Sequence, residues 1–405
     1  MYPSGRIPVS TWFDILLAVL FPLLLFLVGR KMFPPFSWST IRQQLTGSHY
    51  ASTSTFSLGR AYASYFHYAL LAKQDLASME HSYSSIRRSQ KQLGVRIGYP
   101  AKLKHFGQTI TQNAITTTAI ATLAAQEFGL EEHPSSTDVN HADLPRVREA
   151  LKHFVRDWSE EGAGEREKIF QPILRVLEQI PLSAREEARV LVPGSGLGRL
   201  AWEISQLGYN TRAVEYSYFM TLAMRFLFSP TSTPNTNSHN IQPFAHWFSH
   251  QRSNDSLFRS IPFPDVVPRF SSKLELIEDD FLKTTIPYPS KDQAGQSGYD
   301  FVVTLFFIDT SINVFSTIEK IYSLLRPGGT WINLGPLLWP GGAQAKVELS
   351  LEEVMLAVKD IGFVIDQGGS ADDCRRPRTI ECEYAHDQNA MMHWVYHAEF
   401  WVATK

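Results

Sequence analysis

Two cysteines, Cys374 and Cys382, are all that 405 residues contain. They are too few for a disulfide framework and lack the spacing of a thiolate zinc site, so a reducing compartment is expected and no metal is called for. Basic residues are not in excess: 38 Lys and Arg stand against 40 Asp and Glu, for a formal net charge of −2. No basic stripe is visible, which argues against nucleic acid as a partner. Internal repeats are also lacking. The length exceeds one typical domain, so a catalytic domain plus an extension is expected.

Charge is missing altogether from Ile15 to Gly29, which is almost wholly apolar and is extended by Trp12 and Phe13. With those flanks the run reaches about 18 residues, the short end of what spans a bilayer. Pro22 is tolerable in lipid, and aromatics at both ends suit the interfaces. Only Arg6 precedes the run as a positive charge and Gly29-Arg30-Lys31-Met32 is a poor cleavage site, so an uncleaved anchor over 1–34 is favoured over a signal peptide or a packed apolar helix. Arg30 and Lys31 then place the body in the cytosol, as a single-pass membrane protein.

Residues 35–143 read as a helical region. Tyr62, Tyr65, Phe66, Ala69 and Leu70 recur at three- and four-residue spacing, Ser82 to Gln92 looks like a solvated helix face, and a helix is predicted over about Leu103 to Phe128. The catalytic domain is expected over 144–405. Helices are predicted at Val147–Trp158 and Gln171–Gln179, an irregular insertion over about 229–272, and strands at 190–193, 274–277, 299–307 and 330–334, with a helix at 315–325. Alternating strands and helices give a mostly parallel, doubly wound α/β sheet of the Rossmann-like kind.

The hydride-transfer fingerprint G-x-G-x-x-G is absent. In its place, after the strand Val190-Leu191-Val192-Pro193, stand Gly194, Gly196 and Gly198, and an acid, Glu215, closes the next strand. Glycines let the backbone bend sharply and approach a ligand closely at a helix N-terminus. The acid sits where a ribose diol is usually held. This spacing fits a nucleoside sulfonium with no pyrophosphate to cradle, so an S-adenosylmethionine pocket is expected. In doubly wound sheets ligands bind beyond the carboxyl ends of the strands, which should bring together the glycine turn, Glu215, Asp280-Phe281 and Asp309. A carboxylate at Asp280 suits the exocyclic amine of adenine, with Phe281 framing the base. The competing role for Asp280 is a helix cap.

Several stretches together resemble the carnosine N-methyltransferase family, also called N2227-like. They are Phe154-Val155-Arg156-Asp157-Trp158-Ser159, the Pro193-to-Ile204 segment around the glycines, Phe306-Phe307-Ile308-Asp309-Thr310, Trp331-Ile332-Asn333-Leu334-Gly335-Pro336-Leu337-Leu338, and Met391-Met392 followed by Tyr396. The resemblance spans about 55–405 and implies a class I methyltransferase fold and methyl transfer from S-adenosylmethionine to an imidazole nitrogen of carnosine. It implies cofactor contacts for Arg156, for His153 (where the family typically shows glutamine), and for Gly194, Glu215, Asp280 and Phe281. On the acceptor side it points to Asp309 and Tyr396. A neutral imidazole becomes cationic as the methyl arrives, and a carboxylate at Asp309 accepting from its other N–H would fix the tautomer and stabilise that charge.

One departure touches the acceptor. After Leu338 the family has an aromatic and then a substrate-contacting histidine, whereas this chain reads Trp339-Pro340-Gly341-Gly342. Proline offers no side-chain donor or acceptor, and His246, His386, His393 and His397 are the candidates to stand in. Three readings follow: an imidazole N-methyltransferase acting on carnosine or a related small molecule; the same scaffold acting on another amine, a hydroxyl or a protein histidine; and a membrane-tethered cofactor-binding protein without chemistry. The oligomeric state is not legible.

Overall fold

A computed structural model describes residues 54–135, 139–286, 297–341, 344–370 and 373–405. The apolar run assigned to a membrane anchor lies outside the described residues. Among those that are described, no helix is long and apolar enough to cross a membrane.

Valine, leucine and isoleucine runs without alternation make strands that are buried on both faces. β1 (Arg189–Pro193), β6 (Tyr299–Leu305) and the second half of β7 (Leu325–Gly335) are of this kind, and they pair in parallel with one another and with the more exposed β2 (Asn210–Val214) and edge strand β5 (Leu274–Ile277). The full order is β5-β2-β1-β6-β7-β10-β8, where β8 is Val364–Ile365 and β10 (Tyr396–Thr404) runs antiparallel to both its neighbours. β9 (Arg378–Cys382) pairs with β10. The chain leaves β1 toward β2 and β5, then crosses back to β6. This reversal opens a crevice at the carboxyl ends of β1 and β6, the place where such sheets bind ligands. The doubly wound, Rossmann-like sheet expected from the alternation of elements is observed, with an antiparallel end formed by β8, β9 and β10.

The predicted strand at 274–277 and the strand before the glycines stand where expected. β7 is longer than its predicted 330–334 core because Leu325 already pairs with Tyr299, before a register irregularity ahead of the Phe301–Thr330 pair. Pro327, which has no N–H, falls within that irregular stretch. The core is centred on Trp331 and Trp401, both fully buried, with rings 5.7 Å apart at 82°. Trp331 Nε1–H donates to Thr304 Oγ1 at 2.7 Å, and that hydroxyl donates on to Asn333 Oδ1 at 2.8 Å. A polar chain so satisfied can sit between β6 and β7 without the penalty of orphaned donors.

The N-terminal helices are Leu58–Phe66, Tyr68–Ser85, Arg88–Arg96 and Tyr99–Phe128. The polar stretch read as one solvated helix face is broken at Ile86, which is extended, and the helix restarts where Gln90 Oε1 accepts the N–H of Arg87 at 3.1 Å. These helices pack on the sheet-bearing body rather than beside it. Arg60 pairs with buried Asp143 at 2.8 Å, and the hydroxyl of buried Tyr65 donates to the carbonyl of Phe219. The insertion at 229–272 is more ordered than its composition suggested: β3 (His239–Ile241) and β4 (Ile261–Phe263) form an antiparallel pair. Buried Asn113, on the longest helix, fastens this pair by exchanging two hydrogen bonds with the backbone of Gln242, at 2.8 and 3.0 Å. Long-range bonds of this kind, with those of Arg166 and Arg199 to Asp265, hold a segment that local composition marks as loop.

Candidate active site

β1 ends in the glycine turn, whose three glycines all have positive φ, a region that side chains rarely adopt. They do not face the same surroundings. A Cβ at Gly194 would lie 2.5 Å from the ring of Phe307, and one at Gly198 would run into Met224, so protein fills both places. At Gly196 the nearest atom is His153 Nδ1, at 3.9 Å. Only Gly196 therefore presents its backbone to an open side, which narrows the expectation that all three serve close approach. Two buried polar atoms at this mouth have no partner, the hydroxyl of Ser195 and Nη1 of Arg156. Buried donors of this kind are normally satisfied, so their chemistry fits a bound polar group.

Glu215 follows β2 and shapes the turn directly. Its carboxylate accepts from the Gly196 N–H at 2.9 Å and from the Ser217 N–H at 2.8 Å. Burial pushes its pKa up, and those N–H groups work against the rise. Each oxygen keeps acceptor capacity for a diol.

The helix Leu144–Trp158 lies across the turn because its amphipathic face is buried from Leu144 through Trp158. Its end is pinned: Trp158 Nε1–H donates to the Leu197 carbonyl at 3.0 Å, and Arg199 donates to the Asp157 carbonyl at 3.0 Å and to Asp265 at 2.7 Å. Arg156 and Asp157, both buried, form an ion pair at 2.7 Å. Burial disfavours both charges, and their mutual attraction overrides it, holding the guanidinium protonated and the carboxyl ionised. Asp157 also accepts from His153 Nδ1 at 3.2 Å, which in the neutral ring leaves Nε2 to accept from the Tyr384 hydroxyl at 3.2 Å. The Arg156 guanidinium stands 4.5 Å over the Tyr384 ring.

On the other side of the crevice β6 ends at Leu305, short of the expected 307, because Phe306, a non-glycine residue, takes a φ of 50°. The twist there separates two neighbouring rings. Phe307 covers Gly194 and meets Phe281 edge-on, 5.3 Å away at 84°. Phe306 lies against Tyr384 at 4.9 Å and meets Tyr396 edge-on at 5.8 Å. Asp280 accepts from the Leu282 N–H at 3.0 Å and caps the short turn Phe281–Lys283, so the capping role is filled.

Asp309 sits in the one-turn helix Ile308–Thr310 with 6% of its surface exposed. It accepts one backbone N–H, from Leu338 at 3.1 Å. Among the described residues no ion pair joins it. Burial lifts its pKa to about 6 against the pull of that hydrogen bond. Tyr396 is raised as well, by burial and then by the negative charge of Asp309. The result is a desolvated carboxylate beside aromatic rings, ready to favour a cation that forms next to it.

Contacts join the glycine turn to Glu215, His153 and Phe307, and through Phe307 to Phe281, while Tyr384 and Phe306 link His153 to Tyr396. Tyr384, Phe306, Phe307 and Asp157 were not anticipated as a group. Phe306 and Phe307 stand in the sequence as the end of a strand and as part of a stretch carrying the family resemblance, without a role of their own, and no local signal marks Tyr384, which enters from the distant segment between β9 and β10. Of the four histidines considered as stand-ins, His246 is half-buried beside the Pro243 carbonyl, and desolvation drives its pKa down to about 3. His397 is exposed and pairs with Glu381 at 3.3 Å. His386 and His393 both face Glu383. Among the described residues, none of the four forms a hydrogen bond or ion pair with Asp309.

The family model for carnosine N-methyltransferase matches residues 134–405. The chain is 30% identical to the carnosine N-methyltransferase of Mus musculus over 340 residues, covering 80% of each chain. With the carnosine N-methyltransferase of Schizosaccharomyces pombe it shares 33% identity over 323 residues, 74% of this chain and 82% of the relative. A solved complex between the Haloferax volcanii Trm112 methyltransferase activator and a methyltransferase described there as putative is similar at 13% identity, with a TM-score of 0.37, covering 64% of this chain and 96% of that one. On the family match and the two curated relatives, the chain belongs to the carnosine N-methyltransferase family.

Proposed function

We propose that the protein transfers a methyl group from S-adenosylmethionine to an imidazole nitrogen of carnosine or a closely related histidine-containing small molecule. The observation that carries this reading is Asp309: a buried carboxylate with no ion pair among the described residues, next to Tyr396 and the end of β6. The cofactor supplies a methyl group on a sulfonium, activated for in-line displacement. Gly196, Ser195, Glu215, Asp280, Phe281, Arg156 and His153 are the residues that would hold it, the unpartnered Arg156 Nη1 and Ser195 hydroxyl being the clearest fit.

Asp309 accepts the N–H of the acceptor imidazole, which leaves the other nitrogen with its lone pair free to attack. As the new N–C bond forms and the S–C bond breaks, the ring gains a positive charge that the carboxylate offsets in a site with little water. Tyr396 orients the acceptor, and Phe306 and Tyr384 wall it. The remaining contribution is positioning, which alone lowers such a barrier substantially.

Pro340 favours a second reading, in which the same pocket takes a different amine, hydroxyl or protein histidine. The loop it belongs to lines the acid, since the Leu338 N–H reaches Asp309. The test is incubation with labelled S-adenosylmethionine and a panel of imidazoles, amines and phenols. Label on the carnosine imidazole supports the first reading, and more so if Pro340→His raises kcat/KM. Label only on non-imidazole acceptors overturns it.

We further infer that 1–34 anchors the protein in a membrane with its body on the cytosolic side. The support is the uncharged run Ile15 to Gly29 followed by Arg30 and Lys31.

A further inference from the structure

Between β9 and β10, outside the crevice, three side chains converge. One ligand-type atom from each of Glu383, His386 and His393 lies within 4.8 Å of the other two. The carboxylate of Glu383 bridges the rings, with one oxygen 3.1 Å from His386 Nε2 and the other 3.1 Å from His393 Nδ1. The far nitrogens of both rings are engaged. His393 Nε2 is 3.1 Å from the Ala390 carbonyl, and His386 Nδ1 is 3.3 Å from Glu165 Oε2.

Carbonyl and carboxylate oxygens only accept, so each far nitrogen carries the hydrogen. In the neutral rings the lone pairs of His386 Nε2 and His393 Nδ1 then point at a carboxylate, an arrangement that repels unless the rings are protonated or a metal cation lies between them. Glu165 adds a second carboxylate. It is 7% exposed and also accepts the N–H of Ala385, at 2.9 Å. Among the described residues both carboxylates form ion pairs with histidine and none with Lys or Arg. A dication would balance the two. A buried carboxylate behind a ligating imidazole is also the usual outer support of a metal-bound histidine, fixing its tautomer and orientation.

We propose that Glu383, His386 and His393 bind one divalent transition ion, zinc in the first instance, and that the ion pins the segment from which Tyr384 enters the methyl-transfer site. Two imidazole nitrogens and one carboxylate suit zinc, whose bonds of about 2.0–2.2 Å leave neighbouring ligand atoms roughly 3.3 Å apart in a tetrahedron. The three ligand-type atoms lie within 4.8 Å of one another, and each imidazole nitrogen stands 3.1 Å from a different oxygen of Glu383, so a small rotation of that carboxylate presents one oxygen to both. A fourth position remains for water. The link to Tyr384 is short: it lies between Glu383 and Ala385, a non-glycine residue held at φ 47° whose N–H is tied to Glu165. This site is independent of the identity of the methyl acceptor.

The test uses the protein stripped with a chelator and dialysed, titrated with Zn²⁺ by calorimetry and with Co²⁺ by its visible absorption. We expect one ion per chain, the intense absorption of tetrahedral Co²⁺, and a rise in melting temperature on adding zinc, as linkage requires. His393→Ala and Glu383→Gln should each weaken binding at least tenfold, on the order of what loss of outer support costs in known sites, and Glu165→Gln by roughly 10- to 100-fold. His397→Ala serves as the surface control and should leave affinity unchanged. Failure of the stripped protein to take up Zn²⁺, or equal affinity in His393→Ala and the parent protein, overturns the proposal and leaves a protonated His–Glu–His cluster. Should His386→Ala fail to fold, the half-exposed His393 still decides the matter.

Discussion

Tyr384 touches both Arg156 and Phe306: the guanidinium stands 4.5 Å over its ring, and the Phe306 ring lies 4.9 Å from it at a tilt of 38°. The same residue meets His153 through its hydroxyl. It therefore joins the wall that would hold the cofactor to the wall around Asp309, and a change at Tyr384 should be felt on both.

A desolvated cation over an aromatic face is worth about 2 kcal/mol. Tyr384→Ala should accordingly weaken S-adenosylmethionine binding by roughly 10- to 30-fold and raise KM for the acceptor, while Tyr384→Phe, which keeps the ring, should retain most of the affinity. Calorimetry on both variants checks this. Equal losses in the two would shift the weight from the ring to the hydroxyl.

The glycine turn separates stability from binding. Gly194→Ala adds a Cβ against Phe307 at positive φ, so it should lower the melting temperature clearly. Gly196→Val meets open space and should chiefly reduce cofactor affinity, beyond the strain of its φ of 56°. Melting curves and titrations on the pair give the comparison, and the reverse pattern would refute the assignment of Gly196 to the ligand side.

Asp309→Asn should lower kcat by something on the order of 100-fold while cofactor affinity barely changes, because the charge it offsets exists only as the methyl moves. Tyr396→Phe should act more mildly. Full activity in Asp309→Asn would end this mechanism. The same substitution should stabilise the fold at pH 8. Since the folded pKa of about 6 lies above the ordinary 3.8, the folded state holds a proton that the unfolded chain has lost between those values. Stability from this group is complete below the ordinary value and is lost as pH rises through about 6, leaving a buried charge worth on the order of 1–3 kcal/mol to remove.

The pH dependence of catalysis runs the opposite way. Both an ionised Asp309 and a neutral acceptor are required, so kcat/KM should rise with pH through about 6, with the acceptor imidazole adding a second ionisation near its ordinary value of about 6.5. In Asp309→Asn only the acceptor's ionisation should remain in the residual activity. An unchanged limb in the variant would show that Asp309 is not the group titrating.

For the N-terminus, the full chain should stay in the pellet after carbonate washing, and protein starting near Pro35 should be released and active. Protease outside intact vesicles should digest the body, and protection of it would reverse the orientation argued from Arg30 and Lys31.

What could be read in the sequence was what local chemistry dictates. The strands around Val190 to Pro193 and Leu274 to Ile277, the acid at Glu215 and the strand-end position of Asp309 all follow from runs of apolar residues and turn chemistry over a few positions. What could not be read depends on distant pairing. Nothing near Tyr384 announces that it will lie under Arg156, 228 positions away in the numbering. Equally, the three glycines look alike in sequence, and only the positions of Phe307 and Met224 distinguish them.

The place of β10 in the sheet also sets an order of assembly. Among the described residues β8 pairs in the sheet with β10 alone, and β10 fits between it and β7. Until residues 396–404 have been synthesised, β8 lacks its hydrogen-bonding partner and the face of Phe306 that Tyr396 covers stays bare. During translation the cofactor half can form early from sequential strands, whereas the acceptor half waits for pairing between segments far apart in the chain, the slower kind of step. A nascent chain paused before Tyr396 would hold a nearly complete nucleoside pocket with no means of using it.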